Sequence, residues 1–91
     1  MNGTSRTQKG NELEVWQPAT PAVQYGVMQV WFLTRLRRMV RLRREQSELL
    51  SPEGLRLLDW AIYSTFCDCL EQGVANEGRS IIRTERAVHA E

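Results

Sequence analysis

From Val30 to Pro52 the chain runs VWFLTRLRRMVRLRREQSELLSP, and the fold turns on how this stretch is read. At about 100° per residue, an α-helix through it gathers Trp31, Phe32, Leu36, Met39, Val40 and Leu42 on one broad face. Tyr25 and Met28 extend that face upstream. Arg37, Arg38, Arg41 and Arg44 collect on the opposite side. No proline interrupts the pattern between Pro21 and Pro52. Thr20 can cap free N–H groups, and Pro21 suits a first helical position, so the spacing predicts a helix from about residue 21 to about 50.

Downstream, Leu50-Ser51-Pro52-Glu53-Gly54 is a break with its own restart. Ser51 is a natural N-cap, Pro52 fits the first helical position, and Glu53 favours the positive end of the helix dipole. A second helix over about 52–76 places Leu55, Leu58, Ile62, Phe66, Cys69 and Leu70 on one face, with Tyr63 beside them. It weakens at Gly73 and ends by Gly78. So short a connection folds the two helices back on each other. The expected fold is therefore all-α, a long antiparallel helical hairpin over residues 21–78. Residues 1–20 are polar apart from Leu13, Val15 and Trp16, and read as an N-terminal arm. Residues 79–91 read as a tail or a short third helix, with Ile81 and Ile82 available to pack on the hairpin.

Composition and charge narrow the function. Apolar residues make up 42% of the 91 and charged residues 25%, the balance of a globular chain rather than a disordered one. The net charge of +1 conceals a strong polarity. Arg35, Arg37, Arg38, Arg41, Arg43 and Arg44 put +6 within ten positions and leave −5 elsewhere. Any electrostatic function is local. The opening MNGTSRTQKG has no apolar segment of a secretory leader, and no run approaches the ~20 apolar residues of a membrane span. Cys67 and Cys69 are two apart on a helix, a poor geometry for a disulfide with each other. Together these features predict a cytoplasmic protein with reduced thiols.

Catalysis finds no support. The sole histidine is His89, and Asp68 and Glu71 share neither an apolar pocket nor an adjacent base. Cys67, Cys69 and His89 are three candidate ligands where a structural zinc site takes four. The chain is expected to be non-enzymatic, without a cofactor or metal.

Two charges interrupt the apolar faces. If the turn centres on Leu50-Ser51, Arg43 and Asp59 lie near the same level of the hairpin, where an ion pair would hold its register. Arg35, between Trp31 and Met39, is placed to stack on an aromatic ring or to meet a carboxylate from a partner.

The six-arginine cluster contains no lysine. Arginine's planar fork suits carboxylate and phosphate recognition beyond what solubility requires, although a solvated helix face is the simpler reading. The apolar surface is also too wide for one neighbour, since helix 1 spreads it over more than half its circumference and helix 2 holds Leu57, Trp60 and Ala61 away from its main face. A homodimer forming a four-helix arrangement would supply the missing cover. The sequence thus points to a protein–protein interaction module, a small regulator, adaptor or assembly factor. Trp31, Leu57 and Trp60 would be its apolar anchors, and Arg35, Arg37, Arg38, Arg41 and Arg44 would face an acidic surface. A nucleic-acid-binding protein gripping phosphates with the Arg35–Arg44 cluster is the alternative. A peripheral membrane-surface protein is the second.

Overall fold

The structure, a computed structural model, describes residues 15–19 and 23–90, with side chains as far as residue 87. Three α-helices pack against one another: α1 Val27–Gln46, α2 Pro52–Glu71 and α3 Ala75–Ala90. A single 3-10 turn, Ser47–Leu49, follows α1, and the described residues contain no strand.

Helix α1 begins later than the Thr20-Pro21 signal suggests. Both of those residues lie outside the described ones, and residues 23–26 are not helical. Gly26 is the N-cap, in an extended conformation. Its N–H donates to Gln29 Oε1 at 2.8 Å, which satisfies one of the donors a helix start leaves open. Gln29 Nε2 then donates to the Gln72 carbonyl oxygen at 2.9 Å, so one side chain joins the first turn of α1 to the C-cap residue of α2.

Helix α2 starts where its local chemistry dictates. Ser51 Oγ accepts the Gly54 N–H at 3.0 Å, and Pro52 occupies the first turn. The helix stops at Glu71 rather than near residue 76. Gly73 takes a φ of 78°, the left-handed region, which ends the helix. The Gly73 N–H donates to the Leu70 carbonyl at 3.0 Å and the Val74 N–H to the Cys69 carbonyl at 2.9 Å. This pair of bonds is a Schellman motif, and Val74 and Cys69, the two residues its longer bond joins, are both buried in the core.

The segment 79–90 takes the helical one of the two expected forms. It belongs to a sixteen-residue helix that already starts at Ala75. Gly78, expected to terminate α2, sits inside α3 and is buried. A Cβ there would meet Phe66 Cδ1 at 3.1 Å and Leu36 Cδ2 at 3.4 Å. The missing side chain is what lets α3 approach the other two helices closely.

The core is built from Leu33, Leu36 and Val40 of α1, Ile62 and Cys69 of α2, Val74, and Ile81 of α3. Its centre on α1 is rotated from the face read off the sequence. Leu33 is fully buried, whereas Met28, Trp31 and Leu42 are exposed. The cause is α3, which packs on α1 as extensively as α2 does and draws the arginine side inward. Most of the expected N-terminal arm lies outside the described residues, but Trp16 is among residues 15–19 and packs against the core. Its backbone N–H donates to Thr34 Oγ1 at 2.9 Å, and its ring meets Tyr25 edge-on at 5.0 Å between centroids.

The tight approach at Gly78 is testable by graded substitution. Gly78→Leu should lower stability by about 2–3 kcal/mol, the range for overfilling a packed core. Gly78→Ala should be near neutral, because its gain of about 1 kcal/mol in helix propensity offsets a contact that a small ring shift relieves. Urea unfolding of both variants followed by far-UV circular dichroism measures the difference.

Candidate interaction surface

The arginine cluster is the strongest chemical feature of the sequence, and the structure disperses it. Arg41 and Arg44 converge on one acid of α3. Arg41 Nη2 lies 3.1 Å from Glu85 Oε2, and Arg44 Nη1 lies 2.9 Å from Glu85 Oε1. Arg44 Nη1 also donates to the Glu85 carbonyl oxygen at 2.8 Å, and its Nη2 lies 2.9 Å from Glu45 Oε2. Glu85 is only 8% exposed. Burial alone would raise its pKa, but the hydrogen bonds and charges of Arg41 and Arg44 outweigh burial and hold it below the ordinary carboxylate value.

The other arginines are placed differently. Arg43 Nε lies 2.8 Å from Asp59 Oδ1, a pair near the α1–α2 turn with both side chains a third or more exposed. The hydrogen bond to Asp59 raises the Arg43 pKa. Pairs this open are worth about 0.5 kcal/mol. Arg35 is exposed, and its Nε donates to Thr65 Oγ1 at 3.3 Å, so its guanidinium rests on a hydroxyl of α2. Arg38 is exposed, and Arg37 is half-buried beside a cavity of about 400 Å³ that Trp16, Tyr25 and Glu77 also line. Tyr25 Oη donates to Glu77 Oε2 at 2.7 Å at that cavity, an arrangement that raises the tyrosine pKa.

Glu85 is the functional-looking residue that the sequence reading passed over. Its signal was present. On a helix, Gly78, Ile81, Ile82 and Glu85 share one side, which puts an acid on an apolar stripe. That signal has force only once residues 75–90 are read as a helix.

The expected apolar anchors remain at the surface. Trp31 is 53% exposed, Leu57 63% and Trp60 66%. Tyr63 joins them at 60%, its ring stacked on Trp60 with centroids 6.0 Å apart and planes 28° from parallel. Leu57 precedes Trp60 by three positions on α2 and so lies on the same side of the helix. Trp31 stands apart from this group. The bonds joining Gln29 to Gln72 and Arg35 to Thr65 set Trp31 near the level of Leu70. At 1.5 Å per residue, that is roughly 15 Å along α2 from Trp60.

Tyr63 also forms part of the wall of a groove of about 660 Å³, open where the α1–α2 turn meets the C-terminal half of α3. Val40, Ile62, Phe66 and Ile82 supply its apolar lining, and Arg43, Arg44, Ser47, Asp59 and Arg86 its polar one.

Cys69 is fully buried, and burial, with the nearby charges of Asp68 and Glu77, pushes its thiol up to about 11. It stays protonated, and a protonated thiol is a poor nucleophile. Among the described residues, no three side chains of the metal-ligating kinds come together, and no helix is long and apolar enough to cross a membrane. The side chain of His89 lies outside the described residues. Comparison with protein-family models, with curated proteins and with solved structures finds no match for the chain.

Glu85 has a signature in pH. Its folded pKa is lowered, so its contribution to stability is complete above the unfolded value of about 4.3 and is lost as pH falls through the folded value. Glu85→Gln should cost about 2 kcal/mol near neutral pH, less than a fully buried pair because Arg41 is a third exposed. It should also flatten the acid limb of the stability profile below about pH 4.3. Urea midpoints of the two proteins between pH 3 and pH 7 check both effects.

Proposed function

We propose that this chain is a non-enzymatic protein–protein interaction module, with a surface centred on the outer side of α2. The observation that carries the reading is the exposed apolar group Leu57, Trp60 and Tyr63, each more than half exposed after the three helices have packed. Aromatic side chains of this size, grouped at the surface and stacked on each other, are the residue types that dominate binding energy in protein interfaces. Trp31, with Met28 nearby on α1, gives a second and separate apolar spot.

In this reading α1 and α2 form an antiparallel hairpin. The pairings of Gln29 with Gln72, Arg35 with Thr65 and Arg43 with Asp59 support it, because higher positions on one helix meet lower positions on the other. The simplest partner is a second copy of the chain, whose hairpin would complete a four-helix arrangement. Helix α3 already covers one side of α1, so the partner's contribution falls on the outer face.

The arginines enter in a reduced role. Arg41 and Arg44 face Glu85, and Arg43 faces Asp59, within the same chain. Of the arginines expected to face an acidic partner surface, Arg35 and Arg38 are the exposed ones, and Arg37 stands at the edge of its cavity. That arrangement favours a mixed apolar and charged interface over a row of arginines gripping phosphates or a membrane surface.

Leu57→Ser together with Trp60→Ser tests the proposal by light scattering and sedimentation across concentration. Both positions are exposed, so the change in stability should stay within about 0.5 kcal/mol. The unmodified chain should self-associate, the variant should be monomeric, and salt should change the association little. Phosphate-driven binding behaves oppositely: between 50 and 200 mM salt, about 10³-fold or more of affinity is lost. A monomeric unmodified chain whose sole interaction is such salt-sensitive binding to DNA or RNA would overturn the proposal.

A further inference from the structure

We infer that the groove between the α1–α2 turn and α3 is a docking site for a short segment of another protein in which an acidic side chain is flanked by apolar ones. This rests on the interaction-module reading and names one class of partner for it.

The groove has the two chemistries such a segment needs. Half-buried Phe66 and Ile82, with the core residues Val40 and Ile62 behind them, give it an apolar floor for aliphatic side chains. Its rim carries three arginines, of which Arg43 is matched by Asp59 and Arg44 by Glu85 and Glu45, so Arg86 supplies the charge without a counter-ion among the described residues. Those arginines keep donors in hand. Arg43 uses Nε and Nη2 on Asp59 and leaves Nη1, and Arg44 uses both terminal nitrogens on Glu85 and Glu45 and leaves Nε. Arg86 is exposed and makes no ion pair among the described residues. An incoming carboxylate would therefore find charge-assisted donors that the fold has not consumed.

Size and continuity favour a protein segment over a small anion. At about 660 Å³ the groove holds several side chains, within the usual range of about 300–1,000 Å³ for ligand sites. Most of its floor offers nothing to a bare anion. Its Tyr63 wall stacks on exposed Trp60, so an occupant leaving the groove runs directly onto the apolar surface of α2. Charge at the rim fixes orientation and apolar contact supplies affinity, the usual division of labour in peptide recognition.

The test uses the full chain, ¹⁵N-labelled, titrated with an acetylated and amidated pentapeptide alternating leucine and glutamate. Saturable shifts of the amides of Ser47, Tyr63, Ile82 and Arg86 are expected. Arg86→Glu, an exposed change that leaves the fold intact, should weaken binding about ten-fold, equivalent to about 1.4 kcal/mol. Tyr63→Ala should weaken it by a similar factor. Absence of saturable shifts overturns the inference, as does equal binding of the peptide with glutamine in place of glutamate. Inorganic phosphate giving the same shifts at the same affinity also overturns it, because the site would then recognise an anion alone. If the peptide fails while Leu57→Ser with Trp60→Ser still abolishes association, the groove assignment falls and the interaction module stands.

Discussion

Glu85, held between Arg41 and Arg44, is the contact on which the arrangement of this molecule depends. A carboxylate so little exposed costs several kcal/mol to desolvate, and it is tolerated because both of its oxygens meet guanidinium nitrogens. By satisfying it, the two arginines hold the C-terminal half of α3 against the side of α1 that would otherwise face water. The placement of the other buried groups follows. With α2 on one flank and α3 on the other, the centre of the α1 core moves to Leu33, Leu36 and Val40, and the aromatic face that looked central opens outward at Trp31.

The two joints that deliver α3 to that position are equally physical. Gly73 reverses the chain just past α2, and Val74 closes the motif by burying itself beside Cys69. Gly78 then removes the one Cβ that would keep α3 from Phe66 and Leu36. Gln29 bonds both its own helix start and the carbonyl of Gln72, so the end of the molecule away from the α1–α2 turn is tied as well. The α1–α2 turn end, by contrast, carries the half-exposed Arg43–Asp59 pair, the open groove and the stacked rings of α2. Polar ties and uncovered apolar surface thus meet at both ends, since Trp31 is exposed near the Gln29–Gln72 bond and the stacked rings lie near the Arg43–Asp59 pair.

How much of this could be read in advance varied with how local the signal was. An all-helical chain was legible from the 3.6-residue periodicity of α1 and α2, and the α1–α2 break from Ser51-Pro52, because both signals lie within a few neighbouring residues. The start of α1 was not legible: Thr20-Pro21 has the right chemistry for a cap, yet the helix waits for Gly26 and Gln29. The region from Ala75 onward was read too weakly because Gly73 and Gly78 look alike as letters. Only packing separates a glycine that ends a helix from one that admits a neighbour. Without α3, Glu85 was one acid among polar residues, and Arg41 and Arg44 had no acid of another helix to be matched with. The wide apolar surface of α1 was apparent, but its first neighbour belonged to the same chain.

Gly73 carries one more consequence. An atom placed where its Cβ would be meets nothing within 4 Å, so space alone would admit a side chain there. The constraint is handedness: at a φ of 78° the backbone disfavours an L-residue and suits its mirror image. A chemically synthesised chain with D-alanine at this position would keep the same bend. It would also be more stable than the glycine form, because its unfolded ensemble is narrower while its folded joint is unstrained.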